Sequence, residues 1–165
     1  MSVILLSTII DAPRLRVFDL ARSIEAHQTS ADKTGERAIA GVTKGLLGPD
    51  DEVTWEARHL GIRQRLTVRL TSFDRPSGFQ TIMVRGAFKR MVHDHTFLEV
   101  SSRTQMMDRF EFESPLGIFG WLVDRLVLCR HMRRFLKQRN QQLKLLAESE
   151  DWRTYLEAKT QPSSE

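Results

Sequence analysis

The sequence predicts an α+β fold: a curved antiparallel sheet, two short helices near the N-terminus, and one long C-terminal helix that encloses a cavity against the sheet. Three observations lead there. Residues 36–113 are strand-like almost throughout, broken by turn signals at Gly48-Pro49-Asp50-Asp51, Asp74-Arg75-Pro76-Ser77-Gly78 and Gly86. Within them, residues 91–112 read as two alternating strands around Ser101-Ser102. From 116 to 147 the apolar residues then switch to helical period. Close strands with no helix between them favour an antiparallel meander, and its apolar face needs a cover.

Each element has its own signal. Residues 2–9 are rich in β-branched side chains and read as a first strand. Asp11-Ala12-Pro13 reads as a helix start, with Asp11 as the cap. A second short helix is expected around 23–28, and a polar loop from His27 to Gly35. Val53, Trp55 and Ala57 form the inner face of one strand. In the next, Ile62, Gln64, Leu66, Val68 and Leu70 alternate with Arg63, Arg65, Thr67, Arg69 and Thr71, the pattern of a strand with one face in water. Ser114-Pro115 ends the sheet. The helical stripe holds Ile118, Leu122, Cys129, Met132, Leu136 and Leu143, with Leu126 beside it and Arg125 inside it.

A two-residue loop at Ser101-Ser102 fixes the register of the 91–112 hairpin. It sets Met91 opposite Phe112, His93 opposite Phe110, His95 opposite Asp108 and Phe97 opposite Met106, all on one face. Asp94 and Arg109 pair on the other. One face is therefore apolar with a few ionisable groups set into it.

The chain of 165 residues is long enough for a proper core, and is expected to form one domain over 1–150 with a polar tail at 151–165. Its 41% hydrophobic and 28% charged content are those of a globular protein that is not disordered. Residues 2–10 are apolar but no basic segment precedes them, which argues against a signal peptide. No run of about 18 apolar residues exists to span a membrane. The lone Cys129 forms no internal disulfide and fits a cytoplasmic protein. A net charge of +4 is mild. Arg130, Arg133, Arg134 and Lys137 form a basic helix face that permits weak contact with a membrane surface. Without interleaved aromatics it does not indicate nucleic acid. A homodimer is left open.

The order of strand, two short helices, six-strand meander and long helix resembles the helix-grip fold of the START and birch-pollen-allergen superfamily, SRPBCC, over residues 2–147. The runs His93-Asp94-His95-Thr96-Phe97, Thr104-Gln105-Met106-Met107-Asp108 and Ser114-Pro115-Leu116-Gly117, with Arg139 late in the helix, resemble a bacterial ligand-binding SRPBCC subfamily. Its pattern has a glycine where this chain has Arg103. The resemblance implies a cavity and no single reaction, because the superfamily includes carriers, receptors, cyclases and oxygenase domains.

These readings define a candidate site. The expected cavity residues are Trp55, Leu66, Val68, Leu70, Met91, His93, His95, Phe97, Met106, Asp108, Phe110, Phe112, Leu122, Arg125, Leu126, Cys129, Met132 and Leu136, all but four of them apolar or aromatic, as in most ligand cavities. His95 and Asp108 are the candidate catalytic pair: a base whose tautomer a carboxylate fixes. The same two residues also read as a self-satisfied polar pair in the wall. Arg125 suits a ligand carboxylate or phosphate, or else pairs with Asp108 or Glu111. His93 and His95 are too few for a closed metal site, and no metal or cofactor is expected. Three functions follow: binding or transport of a hydrophobic lipid, polyketide or aromatic compound; a cyclase or dehydratase using the His–Asp pair; and a non-catalytic interaction module.

Overall fold

The computed structural model describes residues 1–31, 35–59, 61–113 and 127–157. Its order is β1 (Ser2–Ile10), α1 (Arg14–Ala21), α2 (Ile24–Ser30), β2 (Arg37–Gly41), β3 (Glu52–His59), β4 (Ile62–Asp74), β5 (Gly78–Arg85), β6 (Arg90–Val100), β7 (Arg103–Glu113), α3 (Cys129–Glu148) and α4 (Trp152–Leu156). The seven strands form one sheet in the order β1-β7-β6-β5-β4-β3-β2. Every pairing is antiparallel. β2 to β7 are the expected meander, and β1 joins its far edge.

Alternation sorts the faces. Val53, Trp55 and Ala57 of β3 and Val68 and Leu70 of β4 are buried. On the outer face Glu52 pairs with Arg69 at 2.5 Å and Glu56 with Arg65 at 2.9 Å. Shifts of register at Thr67/Val68 and Leu70/Ser72 bend the 13-residue β4, as bulges do.

The helices differ in detail from expectation. Asp11 does not cap α1: its backbone N–H donates to Glu148 Oε1 at 2.7 Å, and Pro13 occupies the cap position. Ser23 caps α2 instead, its Oγ accepting from the Ala26 N–H at 3.3 Å. α1 is pinned by Phe18, whose ring meets Phe73, Phe79 and Phe97 edge-on at 5.4–5.6 Å between centroids. α3 buries Met132, Leu136, Asn140, Leu143 and Ala147, one stripe at spacings of three and four. The N-terminal half of the expected helix, with Ile118, Leu122, Arg125 and Leu126, lies outside the described residues. Within the expected polar tail, α4 lies against the body of the fold: Arg16 stacks on the Trp152 ring at 4.2 Å, and the Tyr155 and Thr29 hydroxyls are 3.2 Å apart.

The β6–β7 ladder has the expected register, with Met91 on Phe112, His93 on Phe110, His95 on Asp108 and Phe97 on Met106. Ser101 and Ser102 both take positive φ, 49° and 64°. Left-handed backbone at both loop positions marks the hairpin turn that matches strand twist. It favours Asn-Gly over Ser-Ser, because β-carbons are strained there. The variant Ser101→Asn/Ser102→Gly should therefore be more stable by about 1 kcal/mol, a rise in Tm of about 2–4 °C. A thermal melt with an unchanged or lower midpoint would contradict the turn geometry.

Candidate functional site

The site grows from the inner face of β6 and β7. His93 and His95 stand two residues apart on β6 and so share a face, and Asp108 sits directly opposite His95 on β7. His93 Nε2 lies 3.0 Å from Asp108 Oδ1 in hydrogen-bond alignment. His95 Nδ1 is closer, at 2.8 Å from the same oxygen, but off the line of its ring N–H. That contact is electrostatic rather than an aligned hydrogen bond. The second carboxylate oxygen accepts from Asn140 Nδ2 of α3 at 2.5 Å, and that nitrogen also reaches Thr8 Oγ1 at 3.5 Å. The Asp108 side chain is 0% exposed.

Burial dominates the protonation of this group. It pushes His93 down to about 3, with His95 beside it acting the same way. His95 is lowered as well, first by burial. Burial opposes the charge on Asp108, yet the two imidazoles outweigh it and hold the carboxyl well below its ordinary range. At neutral pH the set is thus two neutral imidazoles on one carboxylate. The three donor atoms lie within 4.8 Å of one another, so His93, His95 and Asp108 are the described residues placed to hold a metal ion.

Beside these residues lies a cavity of about 350 Å³ between the sheet, α2 and α3. Its walls include Trp55, Leu66, Val68, Phe79, Met91, Phe110, Met132, Phe135 and Leu136. Of the expected site residues, Trp55, Leu66, Val68, Met91, His93, His95, Phe110, Met132 and Leu136 line it. Leu70, Phe97, Met106 and Phe112 do not. They are packed into the fully buried core, Phe97 under Phe18 of α1. Asp108 stands behind the histidines, and Cys129 is half-buried against the core at the start of α3. Leu122, Arg125 and Leu126 lie outside the described residues.

The polar part of the cavity is larger than the sequence suggested. All five histidines gather here: His27, His59, His93 and His95 line the cavity, and His131 Nε2 lies 3.2 Å from His59 Nδ1. His27 stacks on Trp55 with centroids 4.1 Å apart, and its Nε2 lies 3.1 Å from buried Glu36. Burial works against the Glu36 charge, but His27, Arg139 and His59 outweigh it and hold the carboxyl low. Arg139 lines the cavity from α3. It is named in the subfamily pattern but absent from the expected site. Asn140 is in neither the pattern nor the expected site, although its spacing from Leu136 and Leu143 already puts it on the apolar stripe.

No family model matches the chain, and no curated protein matches it. Solved structures do. TTHA0849 from Thermus thermophilus is 20% identical, with a TM-score of 0.74 over 90% of this chain and 100% of that one. A START superfamily protein from Mycobacterium smegmatis is 13% identical, with a TM-score of 0.62 over 86% and 98%. The major latex-like protein 151 of Panax ginseng is 12% identical, with a TM-score of 0.65 over 90% and 98%. The chain has the START-like helix-grip fold. Identities this low carry the START-like architecture across and nothing of a ligand or reaction.

The histidines give a pH dependence with a definite sign. An unfolded imidazole titrates near 6.5, whereas folded His93 titrates at about 3. Below about pH 6.5 the unfolded chain therefore gains a proton that the folded one refuses, and stability falls until the folded value is reached. His95, His59 and His131 are lowered too and act in the same direction. From pH 7 to pH 5 His93 alone should cost about 2 kcal/mol. Urea midpoints at pH 7, 6 and 5 should fall steadily, and His93→Gln should flatten the trend. A midpoint constant across that range would refute the buried neutral imidazoles.

Proposed function

We propose that this domain binds a small-to-medium hydrophobic molecule between its sheet and α3. The observation that carries the reading is the cavity itself, walled mainly by apolar and aromatic side chains with a few polar groups among them. Its volume of about 350 Å³ lies at the lower end of small-molecule sites, roughly 300–1,000 Å³. That suits a compound of one to three rings or a medium chain and not a two-chain phospholipid. Affinity comes from burying apolar ligand surface, at about 25 cal/mol per Å². The imidazoles of His93 and His95 orient one polar end.

A second reading, a cyclase or dehydratase, rests on one specific observation. His95 lines the cavity while its Nδ1 faces the Asp108 carboxylate. A neutral imidazole so placed is a competent proton acceptor. The two readings separate on mutation. In a carrier, His95→Ala changes affinity by a few-fold and there is no turnover to lose. In an enzyme it leaves binding nearly intact and lowers the rate by about 100-fold or more.

Titration with the neutral fluorophore N-phenyl-1-naphthylamine tests the common premise. It should bind at one site per chain, and Met132→Trp, which fills the cavity from α3, should weaken it by about tenfold or more, equivalent to about 1.4 kcal/mol. A folded protein that takes up no probe would eliminate both readings and favour an interaction module.

A further inference from the structure

Among the described residues three arginines line the cavity, and two of them are already committed. Arg22 pairs with Asp19 at 2.7 Å and donates to the Leu47 carbonyl. Arg65 pairs with Glu56 at 2.9 Å on the outer side of the sheet. Arg139 differs. It is half-buried, and among the described residues no carboxylate comes within ion-pair distance of it. The nearby acid, Glu36, is engaged by His27 at 3.1 Å. Arg139 still acts electrostatically on Glu36, His93 and His95, which places its charge at the polar part of the cavity.

Helical spacing explains why it points there. Leu128, Met132, Phe135, Leu136 and Arg139 all line the cavity, and their spacings of three and four keep them on one side of the helix. A half-buried guanidinium on such an apolar side, with no ion-pair partner among the described residues and with Glu36 already engaged by His27, is under-compensated. Its planar array of donors matches a carboxylate, which it binds in two parallel hydrogen bonds.

We infer that the ligand is a carboxylic acid, bound as the anion, with Arg139 holding its carboxylate and the aromatic walls holding the rest. This rests on the ligand-binding reading above and gives its substrate class. The cavity accommodates a medium-chain fatty acid or an aromatic acid of one or two rings, two sources of the same chemistry.

The test uses the full chain with N-phenyl-1-naphthylamine bound and measures its displacement by matched pairs: decanoic acid against decanol, and 1-naphthoic acid against 1-naphthalenemethanol. The wild type should prefer the acid in at least one pair by about tenfold, and whichever pair shows the preference identifies the source. Arg139→Gln, with the probe still bound, should bring the ratio of acid to alcohol affinity to about one. Should that variant fail to fold, Arg139→Lys keeps the charge without the planar fork and should retain only part of the preference. Equal affinities for acid and alcohol in both pairs, or a full preference surviving in the Arg139 variants, would overturn the inference while leaving the binding function intact. Absence of probe binding would overturn the binding function itself.

Discussion

A carboxylate withdrawn from water must be ringed by donors, and the fold is organised around one that is. Asp108 has a fully buried side chain, and its contacts come from separate parts of the chain: His93 and His95 from β6, and Asn140 from α3. An uncompensated buried charge costs several kcal/mol, so strand, neighbouring strand and helix must all be in place together. Leu136 and Leu143 supply much of the burial that seats α3. Asn140 supplies direction, because an amide reaches a carboxylate from only a few positions. The helix is thereby fixed in rotation as well as in place.

That fixed rotation decides which residues face the cavity. With Asn140 turned onto the sheet, Arg139 falls one step round the helix and lines the cavity, while Leu143 and Ala147 continue into the core beyond it. The histidines follow the same logic from the other wall. Held neutral by burial, His93 and His95 bring polarity to the cavity without a competing positive charge. One structural carboxylate therefore sets the position of the groups that a ligand meets, while burial, against that carboxylate's pull, sets their protonation.

Much of this was legible in the sequence where the signal was local. The β6–β7 register followed from a two-residue loop and strict alternation, so the partnership of His95 with Asp108 followed too. The arginine stripe of β4 gave its outer face. What was not legible depends on distant elements. Leu70, Phe97, Met106 and Phe112 share the inner face with the cavity residues, and alternation cannot tell which of them packing will bury. For Phe97 it is Phe18 of α1 that does so. His27, His59 and His131 come from α2, β3 and α3, and their meeting has no signature in spacing. Asn140 was accessible in principle, since a polar residue at an apolar position of a helical stripe needs a buried partner.

The long edge of the sheet is closed by the same helix that closes the cavity. β1 runs along that edge, and two of its backbone carbonyls are occupied from α3: Leu5 accepts from Arg133 at 3.4 Å and Ile9 from Lys144 at 2.7 Å. An unpaired strand is a template on which a second chain adds by backbone hydrogen bonding. Here a newcomer would have to displace two cations first. The opposite edge, β2, is only five residues long and carries an irregularity between Ala38 and Ala40. The basic residues of α3 thus act as guards against edge-to-edge aggregation, and self-association by strand addition is discouraged at both ends of the sheet.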